Sequence, residues 1–193
     1  MERVSAALAL AVRPVALAWI DAGEAVLRDY LVGKGTEPLL ASAFRTAFSA
    51  EPSVLVAIFV ASRLAQARAV IVDDTRYEDV SDADALALFP PGSALPPAYA
   101  RFGIGMTFTS AFARFGPMCR AAMLLHESVH VFDAESGRPE NHVSEWDEPR
   151  FSAQTLRASL RNPSAYVCFA TQVHERAMSW PAALRYGAAR PDT

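Results

Sequence analysis

The sequence predicts an α+β, helix-rich domain with a small sheet and an N-terminal helical layer. Three observations carry this. Alanine-rich apolar stretches, punctuated by Pro and Gly, favour helices before residue 69 and again near the end. Two short runs, Ala69–Val72 and Phe102–Thr109, have strand character. The chain of 193 residues, 52% of them hydrophobic, fits one domain with a real core. The expected organisation is one unit over 1–193: a helical layer over 1–68, a mixed core over 69–180 and a loose tail over 181–193.

Each element has its own signal. Pro14 suits the first turn of a helix from Val15 to Leu31, and Gly33 and Gly35 end it. Thr36-Glu37-Pro38 starts a second helix, to Phe48. Pro52-Ser53 opens a third, Val54 to Ala67, whose apolar positions are too continuous for a surface helix. Ala69–Val72 reads as a strand closed by Asp73-Asp74. Ser81 through Asp84 caps a short helix before Pro90-Pro91, and an ordered loop follows to Pro97. Phe102–Thr109 alternates apolar and small residues, a strand with one smooth face. Gly116-Pro117 starts a helix over Met118–Phe132, and Gly137–Asn141 reads as a turn. Helices follow at Phe151–Leu160 and Pro163–Ser179, the latter capped by Asn162.

Composition excludes some roles. The net charge is −3 with both signs mixed, so nucleic acid is not an expected partner. The apolar N-terminus lacks the marks of a signal peptide: Glu2 sits where positive charge belongs, and Arg13 interrupts the run. Val54–Ala61 is too short to span a bilayer. A soluble protein without a membrane span is expected, cytoplasmic or exported by a non-classical route. The two cysteines, Cys119 and Cys168, read as buried thiols, with a single disulfide between them as the alternative.

The chemistry lies in His126-Glu127-Ser-Val-His130. Residues four apart share a helix face, with Cβ atoms roughly 5–6 Å apart, so two imidazoles can grip one ion. Zinc takes neutral imidazole nitrogen and prefers four ligands. Glu127 can reach a zinc-activated water without ligating the metal, and can take its proton as general base. The expected cofactor is one zinc ion per chain, and the expected substrate a peptide or protein. A chance match on a buried helix is the bland alternative, and four histidines in the whole chain make it rare.

Two histidines need a third ligand. Asp133 would leave the helix end on another face, and Ser136 stands where a third histidine would follow in the metzincin spacing. His142, Glu145, Asp147 and Glu148 are all within reach of a chain that turns back after Gly137.

With these residues the chain resembles the aspzincin metallopeptidases, the deuterolysin and lysine-specific metalloendopeptidase group. The family pattern is His-Glu-x-x-His, a Gly-Thr-x-Asp-Tyr-x-Tyr-Gly segment, a helix, then Asn-Ala-Asp-Ser-Tyr. His126–His130 matches the first part. Asn162-Pro-Ser-Ala-Tyr166 is similar to the last, and Ser152-Ala-Gln-Thr-Leu156 to the helix between. The resemblance covers Gly103–Phe169 and implies a zincin-like fold and zinc-dependent endopeptidase activity. It sets Glu145 on the family's Asp, making it the third ligand.

The departures are specific. The Gly-Thr pair is missing, the first family Tyr falls on Trp146, and the second, the oxyanion donor, falls on Glu148. An ionised carboxylate cannot donate a hydrogen bond, so His142, Tyr166 or Arg150 would have to. Ser164 and Val167 replace the acidic residues that select lysine, so no lysine preference is implied. The strand before the metal helix is expected at a sheet edge, where extended substrate could pair with it. The alternative is a degenerate member that holds zinc and binds a protein partner; Glu148 favours it, and the intact Glu127 argues against it.

Overall fold

A computed structural model describes residues 4–34, 38–132, 143 and 148–177. These residues form a mixed α+β fold, rich in helix, and among them there is one three-stranded sheet.

Helix α1 runs Val4–Leu31, so Pro14 lies inside it rather than in its first turn. An interior proline costs about 3 kcal/mol. Burial of Ala9, Val12 and Ala16 along one face offsets that cost. Two ties hold the early turns: the Ala6 N–H donates to Asp79 Oδ1 at 2.9 Å, and Ser5 Oγ donates to the Thr109 carbonyl at 2.8 Å. Further along, Gly23 lets α1 lie against its neighbours; a Cβ there would sit 3.1 Å from Leu64 and 3.2 Å from Phe169.

Helix α2 spans Pro38–Phe48, and α3 spans Val54–Val72 with Ser53 as its cap. The strand expected at Ala69–Val72 is instead the last turn of α3. The buried residues Ala57, Val60, Leu64, Ala67 and Ile71 recur at helical spacing straight through it, with no Gly or Pro to interrupt them. Val54–Ala61 is thus part of a 19-residue helix. By length and composition alone, Ser5–Leu31 and Val54–Val72 are apolar enough to cross a membrane. In this fold each packs one face on the core, and α1 touches α3, α5 and α8. The other face of α3 leaves Leu55 81% and Ile58 51% exposed.

The sheet has strands β1 (Tyr77–Asp79), β2 (Ala98–Arg101) and β3 (Gly105–Phe108), in the order β1-β3-β2. β1 runs parallel to β3, with Tyr77 opposite Met106. β2 runs antiparallel to it, with Ala98 opposite Phe108. The single strand expected over Phe102–Thr109 is therefore shorter. Its first residues form the turn between β2 and β3, where Gly103 has φ +70° and Phe102 and Ile104 are exposed. β3 is central rather than at the edge, which explains why all four of its residues are buried. The edge strand on the side of the metal-motif helix is β2. Gly105 admits the Arg76 backbone; a Cβ would meet that carbonyl at 2.6 Å.

Helix α4 is Asp82–Leu86, capped by Ser81 as expected. Helix α5 is Pro117–His130, two residues short of the expected end, with Val131 and Phe132 in a turn. The single helix expected at Phe151–Leu160 is two, α6 (Glu148–Ser152) and α7 (Leu156–Ser159). Thr155 accepts a hydrogen bond from Ala158 N–H and starts the second afresh. Helix α8 is Pro163–His174 and stops before Ser179. Arg176 takes φ +54°, and the N–H groups of Arg176 and Ala177 return to the carbonyls of Val173 and Gln172, a Schellman closure. The rings of Phe44 and Phe48 on α2 pack edge-on against Phe169 and Tyr166 on α8. The expected turn at Gly137–Asn141 and the tail 181–193 lie outside the described residues.

Candidate metal centre

Helix α5 follows the central strand through a 3-10 turn, Ser110–Arg114. Gly116 precedes it and Pro117 occupies its first turn. Leu124, Leu125, Ser128 and Val129 are buried, and the helix packs on α1, α3, α8 and β2. Fixed on so many sides, it presents His126 and His130 together. Their ring centroids lie 4.9 Å apart at 67°. His126 is partly buried and His130 is 8% exposed.

Glu127 is partly buried next to them. Loss of water around its carboxyl pushes its pKa up from 4.5 to about 8. A hydrogen bond from the Ala100 backbone, on edge strand β2, works in the opposite direction. The carboxyl therefore lies between the two histidines in sequence and beside the sheet edge in space.

The N-terminus of α8 closes the other side. Ser164 Oγ lies 3.3 Å from His126 Nδ1, and Ser164 is 1% exposed. Asn162 caps α8 by accepting from Ser164 N–H at 3.1 Å. Its amide donates to the Val143 carbonyl at 2.7 Å and to Gln154 Oε1 at 3.2 Å. Asn162 was expected as a cap; the structure adds its hold on Val143.

The other predicted residues are placed as follows. Glu145 and His142 lie outside the described residues, as do Asp133, Asp147 and Trp146. Glu148 starts α6. Arg150, in the same helix, is exposed. Tyr166 is fully buried, and its hydroxyl donates to the Leu160 carbonyl at 2.7 Å. A phenol held there packs in the core, with its proton given to that carbonyl. Arg120 donates to the carbonyls of Phe112 and Ala113 and so braces the 3-10 turn. His174 is exposed, and Cys119 and Cys168 are buried thiols, all as expected.

Sequence reasoning missed Ser164 and Ala100 as neighbours of the motif. No pattern singles out Ala100, and in sequence Ser164 reads only as a replaced specificity residue. Its place two residues after the Asn cap was the available signal, since that position points into the first turn of α8.

The histidine pair fits zinc as far as two ligands go: neutral nitrogen donors one turn apart on a held helix, with a desolvated carboxyl beside them. Among the described residues, no group of three or more His, Cys, Asp or Glu gathers around one point. The sequence candidates His142, Glu145 and Asp147 for a third ligand lie outside the described residues. Comparison with family models, with curated proteins and with solved structures finds no match for this chain.

Proposed function

We propose that this chain is a zinc-dependent endopeptidase of aspzincin-like, zincin-like type, acting on peptide or protein. The observation that carries the proposal is the 4.9 Å pairing of His126 and His130, with Glu127 between them in sequence and a sheet edge at its carboxyl. His126, His130 and Glu145 would hold the metal. Zinc, when bound, supplies Lewis acidity toward water and the scissile carbonyl. Glu127 accepts a proton at its carboxylate and returns it to the leaving amine. A nearby dication would also favour the charged carboxylate, against the burial that raises its pKa. Strand β2, an edge strand among the described residues, is where an extended peptide would pair, beside the Ala100 contact with Glu127; this is the role expected in sequence of the following strand. His142 and Arg150 remain the oxyanion candidates.

Digestion of an unbiased peptide library by the zinc-loaded protein, beside Glu127→Ala, tests this directly. Cleavage by the wild type alone supports the peptidase and displays its side-chain preference. No cleavage by either, with zinc bound, favours a zinc-holding protein that docks a partner.

A further inference from the structure

We infer that Ser164 is a positioning residue that sets the tautomer of His126, so that only Nε2 is offered to a metal ion. The inference rests on the metal-site reading above. Nδ1 lies 3.3 Å from Ser164 Oγ, so that nitrogen is engaged in a hydrogen bond with α8. If His126 ligates, it does so through Nε2, which must then carry no proton. In a neutral imidazole the proton is then on Nδ1, and the hydrogen bond has one direction: Nδ1–H donates to Ser164 Oγ.

The acceptor is well held. Ser164 is 1% exposed and stands in the first turn of α8, where its own N–H donates to Asn162 Oδ1 at 3.1 Å. Asn162 is itself fully buried. Helices α5 and α8 pack against each other, so the hydroxyl approaches the ring from a fixed direction. Groups that accept from the outer N–H of a ligating histidine orient the ring and raise its basicity, and their loss typically costs about 10–100-fold in metal affinity. A carboxylate is the usual partner; here a serine hydroxyl fills the place. An aspartate would suit the position as well, because negative charge is favourable in the first turn of a helix.

The test uses the full chain with 15N-labelled histidine. Long-range 1H–15N correlation on the metal-free protein reads the His126 tautomer. Competition with a chromogenic chelator reads zinc affinity, and thermal unfolding reports the fold. The wild type is expected to show the Nδ1–H form at His126. Ser164→Ala should fold, lose about 10–100-fold in zinc affinity and show mixed tautomers. Ser164→Asp should bind zinc at least as tightly as wild type. A residue that only joins two helices would change the unfolding temperature and leave the tautomer alone. An Nε2–H tautomer in the wild type, or unchanged affinity and tautomer in Ser164→Ala, overturns the inference. If Ser164→Ala does not fold, Ser164→Asp decides: a tenfold weaker affinity than wild type overturns it. A wild type that binds no zinc defeats the metal-site reading itself, and the inference falls with it.

Discussion

The Val143 carbonyl accepts a 2.7 Å hydrogen bond from the side-chain amide of Asn162, and both residues are buried. Glu145 is two positions further along the chain, a reach of about 7 Å at most. Asn162 also holds Ser164, which faces His126. One amide side chain thus links the segment bearing the proposed third ligand to the helix bearing the first two.

Asn162→Ala should therefore cost more than an ordinary cap. Loss of a cap alone costs about 1 kcal/mol. Leaving the buried Val143 carbonyl without its donor adds about 1–3 kcal/mol. Urea unfolding should show a loss of about 2–4 kcal/mol on those terms, and zinc affinity should fall with it. A loss under 1 kcal/mol would mean that water replaces the amide.

Metal content gives the second prediction. Purified without chelator, the wild type should carry one zinc per chain, and His126→Ala and His130→Ala should carry none. Chelator should lower the unfolding temperature of the wild type and leave both variants unmoved. Among the acidic candidates, Glu145→Ala should match the histidine variants, whereas Asp147→Ala and Glu148→Ala should retain metal. Elemental analysis of the panel would identify a different third ligand if one exists.

The third concerns pH in the metal-free protein. The folded state keeps the Glu127 proton up to about pH 8, whereas the unfolded chain releases it near 4.5. Between those values the folded state binds more protons, so stability is highest below the window and falls as pH rises through it. Unfolding temperature, measured with chelator from pH 5 to pH 8, should drop for the wild type and change less for Glu127→Gln. Parallel profiles would show that the carboxyl is better solvated than its place implies.

The fourth tests the sheet. Gly105→Ala would put a methyl 2.6 Å from the Arg76 carbonyl, and backbone cannot yield as a side-chain tip does. A loss of about 1–3 kcal/mol is expected in urea unfolding. A neutral result would mean that the segment before β1 shifts freely.

Much of this was legible in the chain. The capped helices at Ser53, Ser81 and Asn162 stand where their signals put them. Helix α5 brings its two histidines together as their spacing requires. The errors have physical causes. Pro14 misled because local propensity yields to burial when a helix face is as apolar as Ala9, Val12 and Ala16. Val70 and Ile71 look like strand residues, but they continue a helical stripe. β1 and β2 have three and four residues, too few for alternation to show, and without them the central place of β3 could not be seen. The contacts of Ser164 and Asn162 join residues far apart in sequence, which no local pattern encodes.

The tie from Ser5 to the Thr109 carbonyl spans 104 positions, and the one from Ser159 to the Phe48 carbonyl spans 111. Such closures form late and slow a folding reaction, because distant stretches must meet before either contact is rewarded. They also bind the two halves of the chain into one cooperative event. A fragment beginning at residue 69 would keep every proposed ligand yet lack the surfaces that bed α5 and α8. It would emerge from the ribosome with its histidines present and no scaffold to aim them.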